Sequence, residues 1–208
     1  MALTPSKTAD VFFQWGGAAI KEVAANSIEK STEIDVSTIF TAQLYIHFAP
    51  TSTSAITVGP MLQVQSTPFA TGDAGWMPII NPYIFLTTTP NSSGVDGTEA
   101  AGSTVIEETS TTGITNGVVV FFKNSTFANS EWAGVWSVSG GTSFTLVDGL
   151  TNAQTGSTWY NIGQTYRPII DLSGVKRIRC VLDNNRNATA RTCAVRVGMV
   201  ELSSISTT

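Results

Sequence analysis

The feature that most constrains this chain is its punctuation. Gly, Pro, Asn and Ser-Thr clusters interrupt it roughly every eight to twelve residues, the rhythm of short strands joined by turns. No segment longer than about two turns keeps a 3.6-residue period. The best helix candidate is 17–30, with Ala18, Ala19, Ile20, Val23, Ala24, Ala25 and Ile28. Gly16-Gly17 precede it and β-favouring residues surround it, so strands are preferred there too.

Alternation is clearest at Phe40, Ala42, Leu44, Ile46 and Phe48, one face of a period-2 strand stopped by Pro50. Further strands are expected at 55–58, 61–65, 83–86, 104–107, 118–122, 132–138, 143–147, 166–170, 175–183 and 191–202. The run Val118-Val119-Val120-Phe121-Phe122 is apolar on both faces. Such a strand is either buried on both sides or packed at a subunit contact. Gly140-Gly141 separates two strands as a hairpin turn would. About ten strands result, with two long irregular stretches at 66–81 and 87–103. Loops of that length commonly bind or cover something. The expected fold is all-β, an antiparallel β-sandwich, with an N-terminal arm at 1–12 and a single sandwich domain at 13–208.

The last hairpin can be placed in register. If its turn centres between Arg186 and Asn187, Cys180 lies opposite Cys193 and Ile178 opposite Val195. Ile178, Cys180, Leu182, Cys193, Val195 and Val197 then share one apolar face. Arg177 falls opposite Arg196, with Arg177 and Arg179 pointing outward beside it.

Charged residues make up 12% of the chain, about half the usual share of roughly 25%. A net charge of −4 argues against nucleic-acid binding. Seven of the eleven basic residues follow Tyr166, whereas only Lys123 lies between Ser31 and Tyr166. That asymmetry makes the C-terminal hairpin either a solvated charged face or a contact for an acidic partner. No apolar stretch approaches the roughly 18 residues that span a bilayer, so no membrane is expected. The opening residues lack the basic and apolar regions of a secretory signal, and synthesis in a cytoplasm is expected. The sequons at Asn91, Asn124 and Asn187 then read as chance matches, and Cys180 and Cys193 as reduced thiols.

Candidates for chemistry are few. His47, the sole histidine, alternates with Ile46 and Phe48 and faces away from their apolar side. No Gly-x-Ser-x-Gly elbow presents a serine. Glu107 and Glu108 are adjacent, so on a strand they point to opposite faces. Glu33 and Asp35 share a face, as carboxylates on any solvated sheet do. Asp73 and Asp96-Gly97 lack the ligand spacing of a calcium loop. Neither metal nor cofactor is expected, and the chain reads as a non-enzyme. His47→Ala and Glu107→Gln are expected to leave function intact. Trp132 and Trp136, four apart, share a strand face as core or interface rings.

The stretch from Glu29 to Ile46, Glu-Lys-Ser-Thr-Glu-Ile-Asp-Val-Ser-Thr-Ile-Phe-Thr-Ala-Gln-Leu-Tyr-Ile, resembles a recurrent opening of small tailed-bacteriophage virion proteins of the capsid decoration, or cement, type. Gly59 with Gln63-Val64-Gln65-Ser66, Gly75-Trp76, and the run from Ile169 to Arg179 extend the likeness. The resemblance implies a jelly-roll-like sandwich on the capsid surface of a virion, made in the host cytoplasm. It implies the major capsid protein as partner and a homotrimer as the common state. The expected interface residues are Arg177, Arg179, Arg196, Val118, Val120, Phe122, Trp132 and Trp136. Other readings are a tail-fibre or carbohydrate-binding sandwich, and a jelly-roll capsid subunit.

Overall fold

The computed structural model describes residues 11–51, 61–79, 83–84, 92–108, 110–160, 164–185 and 192–202. The first strands are β1 (Val11–Phe12), β2 (Ile20–Val23), β3 (Ile28–Lys30), β4 (Ile34–Asp35), β5 (Thr41–Pro50), β6 (Met61–Thr67), β7 (Met77–Pro78) and β8 (Tyr83–Ile84). A middle block holds β9 (Ser92–Gly94), β10 (Thr98–Glu99), β11 (Val105–Glu107), β12 (Val119–Lys123), β13 (Glu131–Ser139), β14 (Ser143–Leu146), β15 (Gln154–Thr155) and β16 (Thr158–Tyr160). Then come β17 (Gln164–Tyr166), β18 (Ile169–Asp171), β19 (Arg177–Asp183) and β20 (Cys193–Glu201). One turn of 3-10 helix, Phe127–Asn129, is the only helical element among the described residues.

Among the described residues there are twenty strands against the ten expected, because the short strands β1–β4, β7, β9, β10, β15 and β16 are additional and the expected strand at 166–170 is split into β17 and β18. β1 and β2 both pair with β20, and β3 and β4 with β19. β7 and β8 pair with β6, and β17 and β18 with β5. Counting each pair as one position and leaving out the middle block, eight positions remain, all joined antiparallel. The first sheet then reads 1-8-3-6 and the second 2-7-4-5. That is the order of a jelly roll, in which two nested Greek keys wrap one core.

Period 2 builds that core. Ala42, Leu44, Ile46 and Phe48 of β5 and Cys193, Val195, Val197 and Met199 of β20 face inward from the first sheet. Leu62 and Val64 of β6 and Ile178, Cys180 and Leu182 of β19 face them from the second. Phe40 continues the parity of β5 but precedes the strand and is exposed. The segment 17–30 is strand and turn, with no helix. Gly198 leaves room for the Phe12 ring, which would lie 2.9 Å from a Cβ at that position.

The expected C-terminal hairpin is overturned. β19 and β20 belong to opposite sheets, so they do not pair with one another as a hairpin. Cys180 pairs in register with Val64, and Cys193 with Pro50 and Val23. Arg177 stands opposite Thr67 and Asp35, and Arg196 opposite His47 and Ile20. A turn-rich sequence signals a reversal of direction, and both a hairpin and a cross-sheet connection satisfy it. The inward face was nevertheless correctly composed, because parity does not depend on the partner strand. Both cysteines are free and buried.

The middle block enters between the fifth and sixth positions of the roll. It forms a sheet of its own in the order β11-β14-β13-β12-β16-β9, with β10 and β15 paired beside it. This sheet curls around a second core of Val95, Ile106, Ile114, Val120, Phe122, Val135, Phe144, Leu146, Leu150 and Trp159. The expected hairpin at Gly140-Gly141 is present, and both glycines adopt positive φ, which suits a tight strand reversal. The long stretch 87–103 holds β9 and β10 within its described part.

The expected strand at 55–58, residues 1–10 of the expected arm, and Asn91, Arg186, Asn187 and Arg191 lie outside the described residues. Val11 and Phe12, the end of that arm, form β1 against β20.

Candidate interaction surfaces

The cationic stretch of β19 is committed internally. Arg177 donates from Nε to the Phe69 carbonyl (3.0 Å) and from Nη2 to the Gly72 carbonyl (2.6 Å). Its Nη1 forms an ion pair with Glu33. Arg179 donates to Gln65 Oε1 (3.0 Å) and lies 3.6 Å from Asp73. Both guanidinium groups stand over the Trp76 ring, at 5.3 and 4.0 Å from its centroid. The long stretch after β6 is therefore a cover, stapled down by two arginines and one indole. Arg179 is 9% exposed, so little of this charge is offered outward. The arginine pair is a fold device in this chain, contrary to the outward cluster expected from the hairpin register.

The apolar run of β12 is buried on both faces within one chain. Val120 and Phe122 fill the core of the middle block, and Val118 packs against it. Val120 and Phe122 are thereby taken up inside the chain. Phe121 points the other way, with Tyr160, onto Ala49 and Ala194 on the outer face of the first sheet. Trp132 joins this layer, 4.5 Å from Phe121 and 5.8 Å from His47 between ring centroids. It is thus an internal contact between the two lobes, and His47 is the roll's side of it.

Polar groups pin the same junction. Lys123 of β12 pairs with Glu22 of β2 at 2.5 Å, and Glu22 also accepts from Thr51 at 2.8 Å. Within the middle block, Glu131 accepts from the backbone N–H groups of Thr151 and Asn152 and from Gln154, at 2.8 to 3.0 Å. Beside it opens a cleft of about 660 Å³ lined by Gly17, Ala18, Phe127, Glu131, Asn152 and Arg196, among others. The Arg196 guanidinium lies over the Phe12 ring at 4.2 Å. Burial, with the charges of Arg196 and Arg167, lowers the His47 pKa to about 4. At neutral pH the ring is therefore uncharged, and its Nδ1 lies 3.1 Å from Thr165 Oγ1.

Trp136 is different. The register of β13 against β14 shifts between Val135 and Ser137, making Trp136 the bulged residue. Bulges re-aim side chains, and this one stands 69% exposed. Val147 lies over Gly134 on the same outer face, and Val105 is opposite Thr145 on the neighbouring strand. Both valines are exposed. Of the residues expected at an interface, Trp136 alone presents a large apolar surface to solvent.

Glu107 and Glu108 point to opposite faces as expected, but with unequal consequences. Glu107 is exposed, whereas Glu108 is 4% exposed. Sequence reasoning missed that burial, though parity signalled it, since Glu108 shares the face of Ile106. Among the described residues no group of three or more His, Cys, Asp or Glu side chains is arranged to hold a metal ion. The Asp73 carboxylate stands exposed, 3.6 Å from Arg179.

No protein-family model and no curated protein sequence matches the chain. Among solved structures it is similar to the crystal structure of SPBc2 prophage-derived protein YomS, at 14% identity over 96% of each chain, with a TM-score of 0.30.

Proposed function

We propose that this chain is a non-enzymatic structural protein of a tailed-phage virion, a decoration protein that binds the head lattice as a homo-oligomer, most simply a trimer. The observation that carries this proposal is the division of labour among its side chains. Several charged and aromatic groups are spent on stapling a loop and docking two lobes, while Trp136, Val147 and Val105 stand exposed on the outer face of the middle sheet. Jelly rolls recur in capsids, lectins and cupins, and fold alone does not choose among them. A metal-holding roll needs several converging ligands, and the single histidine here sits outside the core, against Trp132. Few charges and tight internal pairing suit a protein that binds a repeated lattice, where many weak contacts add up to firm attachment. Trp is among the residues that most often carry the binding energy of such a contact. The major capsid protein is the proposed partner and the capsid surface the proposed location.

Mass photometry tests the oligomer. A species near three times the 22.0 kDa chain mass at micromolar concentration supports the proposal, and Trp136→Asp then shifts it toward monomer. A wild-type monomer removes the oligomer from it.

The cleft between the lobes favours a second reading, a saccharide-binding module. Its lining combines an aromatic ring, Phe127, with Asn152, Glu131 and Arg196, the planar polar groups that hold sugar hydroxyls. Binding on a glycan array that is lost with Asn152→Ala would favour it over the virion proposal.

A further inference from the structure

A curled sheet either leaves its two end strands open or seals them. In the middle block those ends are β11 and β9. An isolated antiparallel bridge joins Val95, just after β9, to Glu108, just after β11. Two further bonds follow the seam: Asp96 N–H donates to the Glu107 carbonyl (3.1 Å), and Glu107 N–H donates to Glu99 Oε1 (3.0 Å). The curled sheet therefore closes on itself at one point.

The residue at that point is an acid turned into the core. Both carboxyl oxygens of Glu108 are buried and have no hydrogen-bond partner. The Trp159 indole N–H, from β16, favours the charged form without reaching hydrogen-bond geometry. The charged groups acting on Glu108 are Glu99 of β10 and Asp96 in the loop before it, both acidic. Among the described residues no cation offsets them. An ionised carboxylate without a partner is among the costliest groups to bury, whereas the neutral acid is tolerated.

We propose that the Val95–Glu108 seam is an acid-tightened closure, sealing the curled lobe while Glu108 is neutral and loosening it as that carboxyl ionises. Desolvation, with Glu99 and Asp96 adding to it, raises the Glu108 pKa from 4.5 to about 8 in the closed lobe. Opening the seam returns the group to water and to its ordinary value. Between those two pH values the closed form holds a proton that the open form has lost. Closure is therefore firmest below the ordinary value, weakens by at most about tenfold per pH unit as pH rises, and levels off above about 8.

Amide hydrogen exchange, expressed as protection factors at several pH values from 5.5 to 9, tests this on the whole protein. The amides of Asp96 and Glu107 should lose protection by roughly an order of magnitude per pH unit up to about 8. Those of β5 and β20 should hold. Glu108→Gln keeps the shape and removes the charge, and should flatten the seam's dependence. Equal pH dependence in the two proteins, or none in the wild type, overturns the proposal. Should Glu108→Gln fail to fold, the ¹³C carboxyl titration of wild-type Glu108 decides: a midpoint near 8 upholds the closure, and one near the ordinary value of 4.5 sinks it.

Discussion

Replacing Phe121 with alanine should uncouple the two lobes. Phe121 has no exposed surface and lies between the outer face of the first sheet and the middle block, with Ala49, Ala194 and Tyr160 around it. Its ring sits 4.5 Å from Trp132 and 6.4 Å from Phe127. Truncating a buried Phe costs about 3–5 kcal/mol, because transfer and cavity terms add. The Trp132 contact supplies roughly 0.5–1.5 kcal/mol of that. For a chain of this size each kcal/mol moves the melting temperature by about 2–4 °C, so a fall of roughly 6–20 °C is expected. Urea unfolding followed by Trp fluorescence and by far-UV circular dichroism is the assay, and the two traces should separate as the lobes unfold independently. Phe122→Ala, on the opposite face of the same strand, should cost a similar amount by hollowing the other core. A loss below about 1 kcal/mol for Phe121→Ala, with coincident traces, would mean that the lobes are not held together through this layer.

Two further outcomes follow from named contacts. Arg177→Ala removes two bonds to backbone carbonyls and one ion pair from a largely buried side chain. It should cost about 1–3 kcal/mol and expose residues 69–76 to limited proteolysis; Arg177→Lys should not rescue, since an ammonium cannot span both carbonyls. Unchanged cleavage would show that the loop is held by something else. For His47 the pKa is lowered from 6.5 to about 4, so the folded state disfavours the proton that the unfolded state accepts. Stability is full above pH 6.5 and falls as pH drops toward 4, by at most roughly 3 kcal/mol. An NMR titration of the imidazole with a midpoint near its ordinary value would contradict the buried contact with Trp132. This trend opposes that of Glu108, so acid tightens the seam while loosening the junction.

How much of this was legible beforehand follows a physical division. Period-2 alternation is local, and it correctly placed β5, β6, β12, β13, β14, β19 and β20 to within a few residues. It also assigned Ile178, Cys180, Cys193 and Val195 to one core. Partner choice is not local. The turn after Asp183 looked like a hairpin, and nothing in its composition distinguishes a reversal within a sheet from a crossing between sheets. Trp132 and Trp136 are expected together at an interface for a related reason, since the partners that take Trp132 into the lobe junction lie on other strands and leave no mark on its own. The arginines of β19 looked like free charge because Trp76 and Glu33, which quench them, lie about a hundred or more residues away in sequence. Short strands such as β9 and β15 carry too few residues to show any period at all.

The proposed role is tested most directly by titrating the purified protein onto isolated phage heads lacking it and counting bound copies by sedimentation. Saturable binding, with bound copies in a fixed ratio to the capsid protein and a marked loss for Trp136→Asp, is the expected result. No binding at micromolar concentration, or binding that Trp136→Asp leaves unchanged, would contradict it.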